Sequence, residues 1–199
     1  MTENPLKQKL ANHRIILASG SPRRKKFFDE LGLDFEVRLN PVDEVYPEKL
    51  RGSQIPDYLA ELKASAFEGT LNDDEILVTS DTVVWYNNES LAKAKNHEAA
   101  VAMLSKLSGD WHEVITSVCF TTSSKQKTVN ATTKVKFAEL TPQEIDFYIH
   151  QCEPFDKAGA YGIQEWLGAV AIEEIRGSYN NVVGFPTQLV YKTLMDMVG

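Results

Sequence analysis

Four cations in succession, Arg23, Arg24, Lys25 and Lys26, follow the small residues Ser19-Gly20-Ser21 and Pro22. Pro at a first helical position with Ser before it marks a helix start, so these cations fall in the first turn. The helix dipole is already positive there, and each charge should cost roughly 0.3–1 kcal/mol unless an anion offsets it. Backbone N–H groups, a flexible Gly and planar guanidinium forks are the parts of a phosphate site. A solvated basic face is the plainer alternative, most of all for Lys25 and Lys26. Acids and lysines elsewhere extend the inventory: Glu44 beside Asp43, Asp81, Asp156, and Lys63, Lys93 and Lys157. Carboxylates and phosphate oxygens together suit a hard divalent ion such as Mg²⁺. A water activated by a carboxylate and a metal attacks phosphorus without a Ser or Cys nucleophile. No Walker A, G-x-G-x-x-G or G-x-S-x-G pattern is present.

The elements that must position these residues follow from periodicity. His13 to Ala18 reads as a buried strand, and the segment from Pro22 with Phe27, Phe28 and Leu31 as a helix. Asp34 to Leu39 alternates like a half-buried strand, and the polar loop carrying Asp43-Glu44 follows. Ile55 to Phe67 keeps helical spacing, with Lys63 on a neighbouring face. Ile76 to Tyr86 is rich in β-branched and aromatic residues, as in a central strand. Asp81 is the anomaly in it: burying an acid there is expensive unless it meets a cation, a metal or hydrogen-bond donors, the alternative being a bulge open to water. Beyond a turn at residues 87–89, Asn96 to Leu107 predicts a helix stopped by Gly109, and Trp111 to Thr121 with Thr128 to Ala138 a hairpin. Thr141-Pro142-Gln143-Glu144 is a capping box opening another helix. Small residues and two glycines in Asp156 to Gln164 indicate a loop whose backbone approaches something closely. Val170 to Ile175 reads as a strand, Arg176 to Asn181 as a turn, and Thr187 to Val198 as a closing helix with Leu189, Leu194 and Met197 inward.

Composition sets the outer bounds. A chain of 199 residues, 43% hydrophobic, can bury a core in one domain, and residues 1–199 are expected to form a single unit. A net charge of −7 argues against a nucleic-acid partner. Cys119 and Cys152 form no paired motif, and His13, His97, His112 and His150 contain no H-E-x-x-H and read as surface or structural residues. With no apolar leader and no run near the roughly 18 residues of a membrane span, a cytoplasmic protein without a membrane partner is expected.

Several stretches together resemble the Maf-like nucleoside triphosphate pyrophosphatases: A-S-G-S-P-R-R at 18–24, D-E at 43–44, L-A-x-x-K-A at 59–64, S-D-T-V-V at 80–84, M-L-S-K-L-S-G-D-W-H-E-V-I-T at 103–116, D-K-A-G-A-Y-G-I-Q at 156–164 and G-S-Y-N-N-V-V-G-F-P at 177–186. The resemblance covers nearly the whole chain and carries the motifs in order. It implies a two-lobed α/β fold, an elongated mixed sheet flanked by helices and similar to the inosine triphosphate pyrophosphatases, with the site in the cleft between lobes. It implies hydrolysis of a nucleoside triphosphate to the monophosphate and pyrophosphate, a divalent metal (Mg²⁺ or Mn²⁺) and a homodimer. By motif position Asp81 would be the proton acceptor, Arg24, Lys63 and Lys93 would grip phosphates, Ser19 would touch phosphate, and Glu44 would sit with the metal or the water, with Asp81 as a second metal ligand. Arg23, Thr82 and Gln164 match the dTTP/UTP type, and an acceptor-donor-acceptor pyrimidine edge suits Arg donors with ambivalent Thr and Gln.

Two positions depart from the family pattern. Ala94 stands after Lys93 where Pro is usual, and Glu165-Trp166-Leu167 interrupt the glycines that usually follow Gln164. Trp166 is expected to reshape the base pocket or to serve a dimer contact. A competing reading is a nucleotide-binding regulator of cell division or septum formation that turns nothing over; such a binder has no need of an acid at position 81. A single-stranded nucleic-acid module is disfavoured by the acidic balance and by a basic cluster without interleaved aromatics.

Overall fold

A computed structural model describes residues 3–198. The elements run α1 (Pro5–Lys9), β1 (Arg14–Leu17), α2 (Pro22–Glu30), β2 (Phe35–Val37), α3 (Gln54–Ser65), β3 (Glu75–Tyr86), β4 (Glu89–Leu91), α4 (His97–Leu107), β5 (Trp111–Thr121), β6 (Gln126–Phe137), α5 (Pro142–Cys152), α6 (Trp166–Val170), β7 (Ile172–Arg176), α7 (Tyr179–Val183) and α8 (Thr187–Met197), with a 3₁₀ turn at Pro154–Asp156. They build a mixed seven-stranded sheet of order β2-β1-β3-β5-β6-β7, with β4 paired to β3. The chain divides into two compact units, one of residues up to 81, 116–131 and from 184 onward, the other of residues 82–115 and 132–183.

In the first unit β1 pairs in parallel with β2, from Ile15↔Phe35 to Leu17↔Val37, and with β3, from Arg14↔Glu75 to Leu17↔Val78. Ile16, Leu77 and Cys119 meet Ala60 and Ala64 of α3 and Phe67 in one buried cluster; the small alanines let α3 lie close to the strands. Thr79 Oγ1, fully buried, donates to Ala60 O at 2.7 Å and adds a polar tie between β3 and α3. Phe28 fixes α2 from below, its ring 5.3 Å from both Phe35 and Phe185. Burying such a ring contributes about 1.5–3 kcal/mol. Glu75 is a buried acid that finds its partners: Arg14 Nη2 at 3.2 Å, Arg38 Nη2 at 3.0 Å and the Asn72 N–H at 3.0 Å. Those bonds hold its carboxyl below the ordinary carboxylate range, Arg38 contributing most.

In the second unit Asn87 and Asn88 both take positive φ, 48° and 64°, the backbone that a two-residue hairpin needs, and the chain returns as β4. Asn96 caps α4 by accepting from Ala99 N at 2.9 Å. Thr141 and Glu144 complete the expected capping box at the start of α5, Thr141 N donating to Glu144 Oε2 at 2.7 Å. β6 and β7 pair antiparallel from Lys134↔Arg176 to Phe137↔Ile172.

Three readings from sequence are corrected. The strand expected over 34–39 is confined to Phe35–Val37, and α1 was not foreseen. Val170 closes helix α6 rather than opening a strand, which begins at Ile172. That helix owes its place to packing: Leu167 is fully buried, and a Cβ on Gly168 would stand 1.8 Å from Ile163 O, so α6 lies directly on the preceding backbone. Residues 176–181 are not only a turn, because Tyr179–Val183 is helical. Its buried Asn181 donates through Nδ2 to Val114 O and Thr133 Oγ1, both at 3.0 Å, contacts that no local pattern announces.

Candidate active site

The turn between β1 and α2 places Ser19, which is buried, so that its Oγ accepts from Ser21 N at 3.2 Å and from Arg24 Nη1 at 3.5 Å. Ser21 supplies no side-chain cap to α2, and no acid sits in the first turn. The positive end of this helix is therefore left facing its own cations, as the sequence suggested. Lys26 pairs with Glu30 one turn on, at 3.7 Å, and belongs to a solvated face. Arg24 instead turns inward, donating from Nη1 to Ser80 O at 2.9 Å and from Nε to Gly184 O at 3.2 Å.

Asp81 answers the question its sequence context raised. Its residue is only 8% exposed, and its Oδ1 lies 2.6 Å from Lys63 Nζ. The same ammonium meets Glu44 Oε1 at 3.0 Å and Ser80 O at 3.5 Å. Lys63 comes from the last turn of α3 and Glu44 from the polar loop before it, so helix and loop converge on one point of β3. Burial pushes the Asp81 carboxyl above the usual carboxylate range; Lys63 and Arg24 oppose this, and Glu44 adds to it. Burial also pulls the Arg24 guanidinium down, against Asp81, with Arg23 adding to the fall. A shielded carboxylate of raised basicity can accept a proton, and the cations around it can hold an anion.

In the first unit the structure thus brings together Ser19, Arg24, Glu44, Lys63 and Asp81, with half-buried Arg23 on the same helix turn as Arg24. Thr82, Lys93 and Gln164 belong to the second unit, where Thr82 is half-buried and the other two are exposed. Lys93 forms an isolated antiparallel bridge with Ala158, which sets it against the loop that leads to Gln164. That loop comes as close to its neighbours as its glycines implied: Gly159 has φ +67°, its N–H donates to Leu91 O at 3.0 Å, and a Cβ would stand 2.9 Å from Val84 Cγ2.

Sequence reasoning missed what holds this loop. Glu165, which interrupts the expected glycines, pairs with Lys157 Nζ at 2.9 Å and accepts from the Tyr148 hydroxyl. Tyr148 Oη in turn accepts from Gly162 N at 3.0 Å. Burial pulls Lys157 down, but Asp156 and Glu165 outweigh it and hold the ammonium above its ordinary range. Trp166 packs edge-on against Phe147 of α5, the centroids 4.9 Å apart. Also unforeseen were the carbonyls of Ser80 and Gly184 as anchors of Arg24, although Gly184 lies within the G-S-Y-N-N-V-V-G-F-P stretch.

The chain belongs to the Maf-like protein family, whose model matches residues 14–197. A Flavobacterium psychrophilum protein named dTTP/UTP pyrophosphatase is 55% identical over 191 residues, spanning 96% of this chain and 98% of that protein. A Flavobacterium johnsoniae protein of the same name is 53% identical, over 97% of this chain and 100% of its own length. Among solved structures the Staphylococcus aureus Ham1 protein superposes with a TM-score of 0.51 at 17% identity, covering 92% of this chain and 99% of that one, a likeness of fold. No described helix is long and apolar enough to cross a membrane.

Proposed function

We propose that this chain is a nucleoside triphosphate pyrophosphatase that hydrolyses dTTP and UTP to the monophosphate and pyrophosphate. The observation that carries the reading is the buried Asp81 carboxylate held 2.6 Å from Lys63 within reach of Glu44. The near full-length relatives named for dTTP and UTP give the substrate class.

In this reading a water oxygen attacks the α-phosphorus, the bond from that phosphorus to the bridging oxygen breaks, and pyrophosphate leaves with the electron pair. Asp81 accepts the water's proton; its raised basicity brings it nearer the working pH than an ordinary aspartate. Arg24, Lys63 and Lys93 hold phosphate oxygens, and Ser19 adds a hydroxyl contact beside the start of α2. Arg23, Thr82 and Gln164 read the pyrimidine edge.

The donor set fits a divalent cation, Mg²⁺ or Mn²⁺: Glu44 Oε1 and Asp81 Oδ1 already converge on one cation, the Lys63 ammonium. When bound, the ion neutralises phosphate charge. We further propose a homodimer working in the cytoplasm, on the family resemblance.

The test is pyrophosphate release with Mg²⁺ across dTTP, UTP, CTP, GTP, 7-methyl-GTP and ITP, with product identity checked as pyrophosphate rather than orthophosphate. Leading turnover of dTTP and UTP supports the reading. Binding without release overturns it in favour of a nucleotide-sensing regulator. Preference for another base removes the roles given to Arg23, Thr82 and Gln164.

A further inference from the structure

We propose that His97, Asp146 and His150 form a binding site for a borderline divalent ion of the Zn²⁺ class, separate from the carboxylates at Glu44 and Asp81. Asp146 and His150 stand one turn apart on α5, so their side chains share a face. His97 opens α4, the helix packed beside α5. His97 Nε2 lies 3.0 Å from Asp146 Oδ1, and His150 Nδ1 lies 3.5 Å from the same oxygen. One ligand atom from each of the three residues falls within 4.8 Å of the others. With metal bonds of about 2.0–2.1 Å, tetrahedral ligands stand about 3.3 Å apart, so these spacings need only side-chain rotation to close.

Two further observations favour a ligand over a plain surface contact. His97 Nε2 is shut off from solvent and makes no hydrogen bond, despite its closeness to Asp146. The imidazole rings of His97 and His150 stand 4.9 Å apart, tilted by 55°, and turn toward the same carboxylate. His150 Nδ1 now bonds Asp146 O at 2.9 Å, a contact that metal binding would exchange for a coordinate bond.

The donor chemistry selects the ion. Two imidazoles and one carboxylate suit Zn²⁺, Co²⁺ or Ni²⁺, whereas Glu44 and Asp81 offer only hard oxygens. Water completes the fourth position, and an entry path is open because Asp146 and His150 side chains are 58% and 68% exposed. A bound ion would clamp the start of α4 to α5.

The experiment uses the full chain stripped with EDTA. Zn²⁺ is titrated against a chromophoric chelator, and Co²⁺ binding is followed by its visible absorption. Wild type should bind one Zn²⁺ equivalent that His97→Ala and His150→Ala either lose or hold at least tenfold more weakly, and its Co²⁺ band should be four-coordinate in intensity. Asp146→Asn, which keeps the side-chain shape, should weaken binding as well, and all three should retain wild-type hydrolysis in Mg²⁺. Equal Zn²⁺ stoichiometry and affinity in wild type and variants would overturn the proposal, as would a Co²⁺ spectrum unmoved by the substitutions.

Discussion

Replacing Lys63 by Met tests how the buried Asp81 is held. The Lys63 and Asp81 side chains are only 17% and 11% exposed and touch at 2.6 Å. Removing one member of such a pair leaves a charge without compensation, a loss of about 3–5 kcal/mol when burial is complete. Protonation offers Asp81 an escape, and neutralising an ordinary carboxylate at pH 7 costs about 4 kcal/mol, which sets a ceiling. Arg24 remains nearby and Glu44 can turn to water, so a loss of about 2–4 kcal/mol is expected, or roughly 5–15 °C in Tm for a chain of this size. In the variant the Asp81 pKa stands further above its unfolded value. The folded state then binds the extra proton, and the variant's stability falls as pH rises through that interval. Melting curves at pH 8 and pH 5 should therefore show a large deficit at the higher pH and a smaller one at the lower. Adding Asp81→Asn to Lys63→Met should restore much of the loss by removing the unpaired charge. Equal deficits at both pH values, or a double variant no more stable than the single one, would mean that Lys63 does not hold the Asp81 charge.

Three more outcomes follow from particular contacts. Tyr148→Phe removes the hydroxyl that joins Gly162 to Glu165 and should raise KM for dTTP and UTP about 2- to 10-fold with a smaller change in kcat, read from steady-state kinetics. His112, 2% exposed and 2.7 Å from the Tyr161 hydroxyl, is pulled by burial to about 4. The unfolded chain binds its proton first, so up to about 3 kcal/mol of stability should drain away as pH falls from 6.5 to 4, and urea titrations of His112→Gln should lack that component. Gly159→Ala forces a Cβ to 2.9 Å from Val84 at φ +67° and should lose about 2–4 kcal/mol, seen as a lowered urea midpoint; an unchanged midpoint would mean the loop yields freely.

Local chemistry was legible where a residue violated its surroundings. Asp81 stood out because an acid in a β-branched run must be compensated, and Thr141 and Gly159 declared a cap and a close approach. Partners were less legible. Lys63 on an amphipathic helix reads equally as a solvated or a functional cation until α3 is laid against β3, and Glu165 reads as an interruption until Tyr148 and Lys157 are found beside it. Helices α6 and α7 escaped for the same reason: Gly168 against Ile163 O and Asn181 against Val114 O are long-range contacts that override weak local propensity. Family resemblance supplied roles for Thr82, Lys93 and Gln164 that periodicity does not offer.

If Asp81 takes the proton from the attacking water, its loss must fall on the chemical step and not on nucleotide binding. The decisive experiment measures pyrophosphate release from dTTP by Asp81→Asn under single-turnover conditions beside equilibrium nucleotide binding. A proton-accepting Asp81 predicts a fall in turnover of about 10²–10⁴ with nucleotide binding retained. Turnover within a few-fold of wild type, with nucleotide bound as before, would contradict it.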